Sequence, residues 1–344
     1  MDVKGLKSTF RWEEKQLLFA KDANQQYVWA VNAVKGEHYV CPHCERPVIL
    51  KHGMKTRPHF AHMRHDHGTC SYGENMTHYD AKYMLAQQLK EAGYEVNIEP
   101  HISSINQYPD LLVDEQHVLE IQLSNIPINV LQQRTQRLMD AGFDVRWVIA
   151  NPVYYQHVIK LSQYESACIE TRTRELYAWC STSQRLYIYD ALQHIGGNRF
   201  YARRRVANLS TLFKQDIMPF EGKVLKMSGD KICRYLNGCK RQQSVHQPTL
   251  SAQYQLRFTD EDVCYFCGFI LPNQLYIQAH PIYWQLQLII MIEKDQFDIQ
   301  QLLQLMKPRA FACNFNQDQL IKHTIKQYVQ LYQQLKYYSV QKKL

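Results

Sequence analysis

Short apolar runs separated by polar turns fill the first half of the chain, and longer helical periodicities take over toward its end. Residues 10–34 alternate in character, which predicts two strands, with Leu17, Leu18, Ala20 and then Tyr27, Trp29, Val31 as the buried positions. Val48 to Lys51 reads as a further short strand. From His78, HYDAKYMLAQQLKEAG sets Ala81, Met84, Leu85 and Leu89 at helical spacing, and Gly93 ends that helix. In the strand that follows, Tyr94, Val96 and Ile98 share one face and Glu95, Asn97 and Glu99 the other. Two apolar runs on either side of Asp114, Glu115 and Gln116 then predict a β-hairpin, the second run carrying Glu120 and Gln122. A helix capped by Ser124 is expected from about Pro127 to Ala141, stopped by Gly142, and FDVRWVIA is apolar enough for a central strand. Beyond it, Leu176 to Asp190 suggests strands, Pro281 with Trp284 a helix start, and the Gln- and Leu-rich stretch from Phe297 a run of helices.

Length and charge narrow the setting. A chain of 344 residues allows about two domains, or three if one is small. The pattern divides it into a small N-terminal β region over residues 1–70, a mixed domain over 71–155 and a mainly helical domain over 156–344. The net charge of +8 is compatible with a nucleic-acid partner without requiring one. The opening MDVKGLKSTFRWEEK is charged throughout and unlike a signal peptide, and the most apolar later run, Leu286 to Ile292, is too short to span a bilayer. A cytoplasmic location is therefore expected, with the ten cysteines as thiols or metal ligands.

The hairpin carries the first candidate chemistry. With its turn centred on Glu115, Asp110 faces Glu120 across the strands, Cα atoms roughly 4.5–5.5 Å apart. Alternation sets Asp110, Glu120 and Gln122 on one face and Leu111, Val113, Leu119 and Ile121 on the other. Facing carboxylates repel, so the pair calls for a cation or a shared proton, and oxygen ligands suit Mg²⁺ or Mn²⁺. The spacing is that of the metal-dependent nuclease pattern PD…(D/E)xK, with Gln122 in the lysine place and Glu99 as a third candidate acid. Arg134, on the following helix, is within reach of a phosphate or of the acidic cluster. The plain alternative is a half-exposed hairpin whose acids face water. The order helix, strand, hairpin, helix, strand (αβββαβ) is that of a restriction-endonuclease-like core.

A second constellation precedes it. Cys41 and Cys44 form a C-x2-C pair stiffened by Pro42 and Pro47, and His59 and His62 are expected on one side of a short helical turn. Together these four make a closed, structural Zn²⁺ site, with His65, His67 and Cys70 as competing ligands. Further on, Arg203, Arg204 and Arg205 beside Tyr201, with basic residues after them, suit a DNA backbone with stacking for single strands. The alternative there is a solvated charged face. Cys264 and Cys267 form a second C-x2-C, read as buried thiols for want of a matching pair.

CPHC followed by HFAH, the helix with His78 and Lys82, the PD at 109–110, EIQLSNI with Leu131 and Arg134 downstream, RWVI and IQAHPIYWQ together resemble the competence protein CoiA family. The resemblance implies a zinc-bearing N-terminal region, a restriction-like nuclease domain and a helical C-terminal region. It also implies a role in handling incoming DNA, single-stranded or branched, during transformation and recombination, alongside other competence or recombination proteins. It carries Asp110, Glu120 and Gln122 as the nuclease motif and His78, Lys82, Ser124 and Arg134 as flanking positions. Gln122 lacks the positive charge of the lysine it replaces, although ExQ is the usual form in this family, and Met139 stands where an aromatic residue is more typical. The rival expectation is a DNA-binding recombination accessory protein that keeps the nuclease fold and does not cut.

Overall fold

The structure, a computed structural model, describes residues 19–42, 44–53, 56–63, 76–213, 222–244 and 246–341. The chain divides into two compact units at Tyr83, inside the helix α1 (Met76–Glu91).

The first unit holds a five-stranded sheet of β1 (Phe19–Lys21), β2 (Tyr27–Trp29), β3 (Tyr39–Val40), β4 (Pro47–Gly53) and β5 (Thr56–His62), in the order β2-β1-β3-β4-β5. Asp22 makes the first turn by accepting the amides of Asn24 and Gln26 through its carboxylate, while Gln25 takes a left-handed φ of 61°. Ala20, Ala30, Tyr39, Cys41, Val48 and Phe60 form the small core. Tyr27 and Val31, expected inside, are exposed: Tyr27 opens the edge strand β2, and Val31 lies in the turn that follows Trp29. Leu17 and Leu18 lie outside the described residues.

The second unit is built on a nine-stranded sheet. After α1 come β6 (Val96–Ile98), β7 (Leu111–Val113), β8 (His117–Gln122), α2 (Ile128–Asp140) and β9 (Asp144–Ala150). Three short elements follow, β10 (Tyr154–Tyr155), β11 (Val158–Lys160) and α3 (Gln163–Ala167). The longer strands β12 (Leu176–Cys180), β13 (Arg185–Gly196) and β14 (Arg199–Val206) complete the sheet. Its order is β10-β11-β14-β13-β12-β9-β8-β7-β6, with β9 parallel to both β8 and β12 and the other pairs antiparallel. The sheet therefore runs through residue 155, where a domain boundary was expected. The strands between residues 154 and 206 extend the same sheet because Tyr177 to Trp179 pair with Val148 to Ala150, a partnership far apart in sequence.

The helical region begins later than expected. After β15 (Leu225–Lys226) come α4 (Gly229–Lys240), α5 (Pro248–Leu256) and α6 (Asp260–Phe266), then β16 (Phe269–Ile270), α7 (Pro281–Glu293), α8 (Ile299–Met306) and α9 (Asp318–Gln341). Trp147, Ile149, Leu176, Ala178 and Tyr189 of the sheet share one apolar core with Leu131 of α2 and with Trp284, Leu288 and Tyr328 of these helices. Trp284 is fully buried and gives its indole N–H to Gln274 Oε1 at 3.0 Å, which satisfies the one polar atom it takes inside. Among the described residues, no helix is long and apolar enough to cross a membrane.

Candidate functional site

The hairpin turn decides which acids meet. Val113 pairs with His117 and Leu111 with Leu119, and the turn between them takes left-handed backbone at Asp114 (φ 47°) and Glu115 (φ 55°). Asp114 ties the turn to the start of β6, its amide donating to the Glu95 carbonyl and its carboxylate accepting the Glu95 amide. One step beyond Leu111 and Leu119, the same register sets Asp110 across from Glu120. The Asp110 Oδ2 accepts the Ile121 amide at 2.8 Å, which fixes this carboxylate against the neighbouring strand.

Glu120 is more deeply placed than a half-exposed hairpin allows. Its strand lies between β7 and β9, and its side chain is 1% exposed. From α2, Arg134 Nη2 donates to Glu120 Oε2 at 2.8 Å, with its guanidinium 5.6 Å from the Trp147 ring. Helical spacing makes this possible: Leu131, Thr135 and Leu138 face the sheet, Arg134 comes out beside them, and Thr135 Oγ1 holds the Trp147 indole N–H at 2.9 Å. Glu120 Oε1 is buried and has no hydrogen-bond partner among the described residues. Burial first, and the facing Asp110 carboxylate second, push the Glu120 carboxyl up to about 8 against the pull of Arg134. At neutral pH such a group is mostly protonated, and a further cation beside it favours its ionised form.

Gln122 stands two residues along from Glu120 and sends its amide Nε2 to Ser124, at 2.9 Å from Oγ and 3.0 Å from the carbonyl. Ser124 is thus engaged with Gln122 and does not cap α2, whose first turn follows Pro127 with no side-chain cap. At the other end Gly142 does close the helix, in left-handed backbone with φ 93°, as the amides of Gly142 and Phe143 return to Met139 and Leu138. A residue unmarked by the sequence joins the site: the Tyr164 hydroxyl donates to the Gln122 carbonyl at 3.1 Å. Its helix α3 opens with a Ser162–Glu165 capping box, a legible signal for the helix but not for its destination.

The other expected site residues divide. Glu99 shares a backbone hydrogen bond with Asp110, its amide donating to that carbonyl, and its own side chain is exposed. His78 and Lys82 are carried by the first unit, on α1, where Lys82 is buried with Nζ 5.8 Å from the centre of the Tyr79 ring. On β14 the three arginines are engaged within the protein. Arg203 pairs with Asp190, Arg205 with Glu175 and Asp190, and the Arg204 guanidinium lies near the rings of Tyr154 and Tyr187.

In the first unit, Cys41, Cys44 and His62 have ligand atoms all within 4.8 Å of one another, a cluster that can hold a metal ion. A local turn supplies the two cysteines of the cluster, and the pairing of β4 with β5 brings in His62. The Cys41 amide donates to the Arg46 carbonyl and the Glu45 amide to the Cys41 carbonyl, with Glu45 at φ 55°, so the chain folds back on itself within six residues. Burial pushes the Cys44 thiol up, but hydrogen bonds from Arg46, His62 and Cys41 pull it down further, to about 6. His59 is not in the cluster. It and His62 lie on a strand, not a helical turn, and three residues along a strand turn side chains to opposite faces. His65, His67 and Cys70, the competing ligands, lie outside the described residues. Of the second C-x2-C, Cys267 is buried, with its thiol pushed by that burial to about 12, and Cys264 lies 4.0 Å from Cys233.

Two family models match the chain. One, described as the nuclease-like domain of competence protein CoiA, covers residues 74–220, and the other, the N-terminal domain of competence protein CoiA, covers residues 22–72. Among curated proteins, the "Competence protein CoiA" of Bacillus subtilis (strain 168) is 30% identical over 122 residues. That match takes in 34% of this chain and 32% of the relative, so the likeness spans about a third of the relative's own length. No solved structure matches the chain.

Proposed function

Since this chain belongs to the competence protein CoiA family and carries its nuclease-like domain, we propose that it processes DNA in transformation and recombination through a metal-dependent phosphodiesterase site of the PD-(D/E)xK kind. The order α1, β6, β7, β8, α2, β9 supports a restriction-endonuclease-like core for that site. One observation carries the reading: a fully buried Glu120 faces Asp110 and keeps one oxygen, Oε1, without a hydrogen-bond partner among the described residues. An open carboxylate oxygen beside a second acid is a fitting ligand set for Mg²⁺ or Mn²⁺, which take oxygen donors. Held by these two residues, such an ion supplies a more acidic water and charge stabilisation at the phosphodiester.

The chain's own groups do the positioning. Asp110 is fixed by the Ile121 amide and Glu120 by its strand, so neither carboxylate has to reorganise. Gln122 is neutral, so it serves by orienting water through hydrogen bonds, and Ser124 and Tyr164 fix its amide and its carbonyl. Of Arg203, Arg204 and Arg205, Arg203, with 69% of its side chain exposed, is the one best placed for a phosphate. In the first unit Cys41, Cys44 and His62, with one more ligand, would hold a structural Zn²⁺.

A non-cleaving DNA-binding role is favoured by a different observation: Arg134 already occupies Glu120 Oε2, and Gln122 brings no positive charge to the site. Cleavage of labelled single-stranded, duplex and branched DNA in Mg²⁺, Mn²⁺ or EDTA separates the two, with Glu120→Ala alongside. Metal-dependent products missing from the variant are the expected result. Intact DNA in every lane, with complexes formed by both proteins, would leave only the binding role.

A further inference from the structure

The ion pair at Glu120 has a fixed member and a movable one. Glu120 sits in the middle of a central strand with its side chain 1% exposed, and nothing short of unfolding the sheet displaces it. Arg134 reaches it from the surface helix α2 on a flexible stem, and its side chain is 34% exposed. Its guanidinium lies 5.6 Å from the Trp147 ring, whose indole is tied to Thr135, so the aromatic face stays in place while the guanidinium turns. Arg137, one helical turn further along α2, is exposed. A guanidinium leaving Glu120 toward solvent therefore joins a second cation on the same face of the helix.

We propose that Arg134 is the counter-cation Glu120 holds until a divalent cation takes its place, and that the exchange releases the guanidinium to a DNA phosphate. The inference rests on Asp110 and Glu120 being metal ligands. Its physical basis is charge. A guanidinium 2.8 Å from Oε2 and a divalent ion on the same carboxylate repel each other at short range in a buried site, and the exposed partner is the one that yields. By linkage, a phosphate that holds the released guanidinium strengthens metal binding as much as metal strengthens phosphate binding. A purely structural Arg134 predicts the opposite: its removal would loosen the site and weaken metal binding.

The test uses the full chain, with Mn²⁺ titrated calorimetrically into wild type, Arg134→Gln, Arg134→Lys and Glu120→Gln, without DNA. Arg134→Gln is expected to bind Mn²⁺ about tenfold more tightly than wild type, and Arg134→Lys about threefold. If the glutamine variant does not fold, Arg134→Met, which also removes the charge, is titrated in its place. DNA binding in Ca²⁺, read as a function of salt, is the second measurement. For wild type, Ca²⁺ should steepen the log–log salt dependence by about one phosphate contact, and in Arg134→Gln that increment should vanish. Equal or weaker Mn²⁺ binding by both arginine variants, where wild type binds and Glu120→Gln does not, overturns the exchange and leaves the metal site standing. Absence of Mn²⁺ binding in every protein overturns the metal site and the exchange together, whereas binding that appears only in the arginine variants supports the exchange outright.

Discussion

The two candidate cation sites of this protein are opposites in how they handle charge. At Cys41, Cys44 and His62, a turn of six residues aims hydrogen-bond donors at the Cys44 sulfur and lowers its thiol to about 6, so the ligand is already a thiolate at neutral pH. At Asp110 and Glu120, two strands and a helix hold carboxyl groups out of water, and Glu120 rises to about 8. The first site takes its two cysteines from one tight turn and His62 from the paired strand β5, and its ligand types suit a soft ion. The second is made by tertiary packing, with Arg134 paired to one oxygen of its buried glutamate. Ligands prepared in a small unit predict that its folding depends on the ion. A packed site that resists its own charge predicts a unit that folds without one.

The largest expected effect tests the folding half of that contrast. Stripping the metal with a chelator, or replacing Cys44 by serine, should unfold the five-stranded sheet, since structural zinc sites contribute roughly 10–16 kcal/mol of apparent binding energy in small zinc-dependent modules. Metal content by mass spectrometry and protease sensitivity of residues 19–63 read this directly, and survival of the sheet in EDTA would break the contrast. His62→Ala should lose metal as Cys44→Ser does, whereas His59→Ala should keep it, because His59 points away from the cluster.

The next effect is the converse, a site that folds better without its charge. With the Glu120 carboxyl raised to about 8 from an unfolded value of 4.5, this group's contribution to stability is fully present below pH 4.5 and is lost as the pH rises through about 8. In EDTA the wild-type urea midpoint should therefore fall between pH 5 and pH 8.5, by an amount corresponding to a few kcal/mol on the order of the shift. Glu120→Gln should flatten that pH dependence while lowering metal-dependent cleavage by at least about a hundredfold. A variant with the same slope as wild type would show that Glu120 does not govern it.

Much of the second site is legible in the amino-acid sequence alone, and the part that is not has a common cause. Run lengths of apolar residues on either side of Asp114–Gln116 specify the hairpin, its turn and the facing of Asp110 and Glu120, because strand alternation and turn length are local properties. The buried stripe of α2 and its Gly142 terminus are legible for the same reason. What escapes is set by partners distant in the chain. Glu120 is buried because β9 covers its far side, and β10 to β14 join the sheet because β12 pairs with β9. Helical spacing brings Arg134 near the acids, but its seat on Glu120 depends on how α2 packs against β9. The H-x2-H of the first unit misleads because three residues share a face on a helix and not on a strand, and the pairing of Lys51 with His59 decides for the strand.

The smallest expected effect sharpens the comparison at its finest point, the hydrogen bonds that orient ligands. In the first site such bonds act on a ligand directly; in the second, Ser124 acts one residue removed, by holding the Gln122 amide at 2.9 Å. Ser124→Ala deletes only that hydroxyl. Ser124 is exposed and caps no helix, so the loss to stability should stay near 0.5–1.5 kcal/mol, the usual worth of one hydrogen bond. The Ser124 carbonyl still accepts from Nε2 at 3.0 Å, which limits how far the amide swings. Cleavage should then fall by about tenfold or less, as expected for a misplaced water and not for a lost ligand. Substrate affinity should be unchanged, so the whole effect should appear in kcat. A fall as large as that of Glu120→Gln would mean that Ser124 itself touches the reacting groups, and Gln122 would then be the residue that positions Ser124.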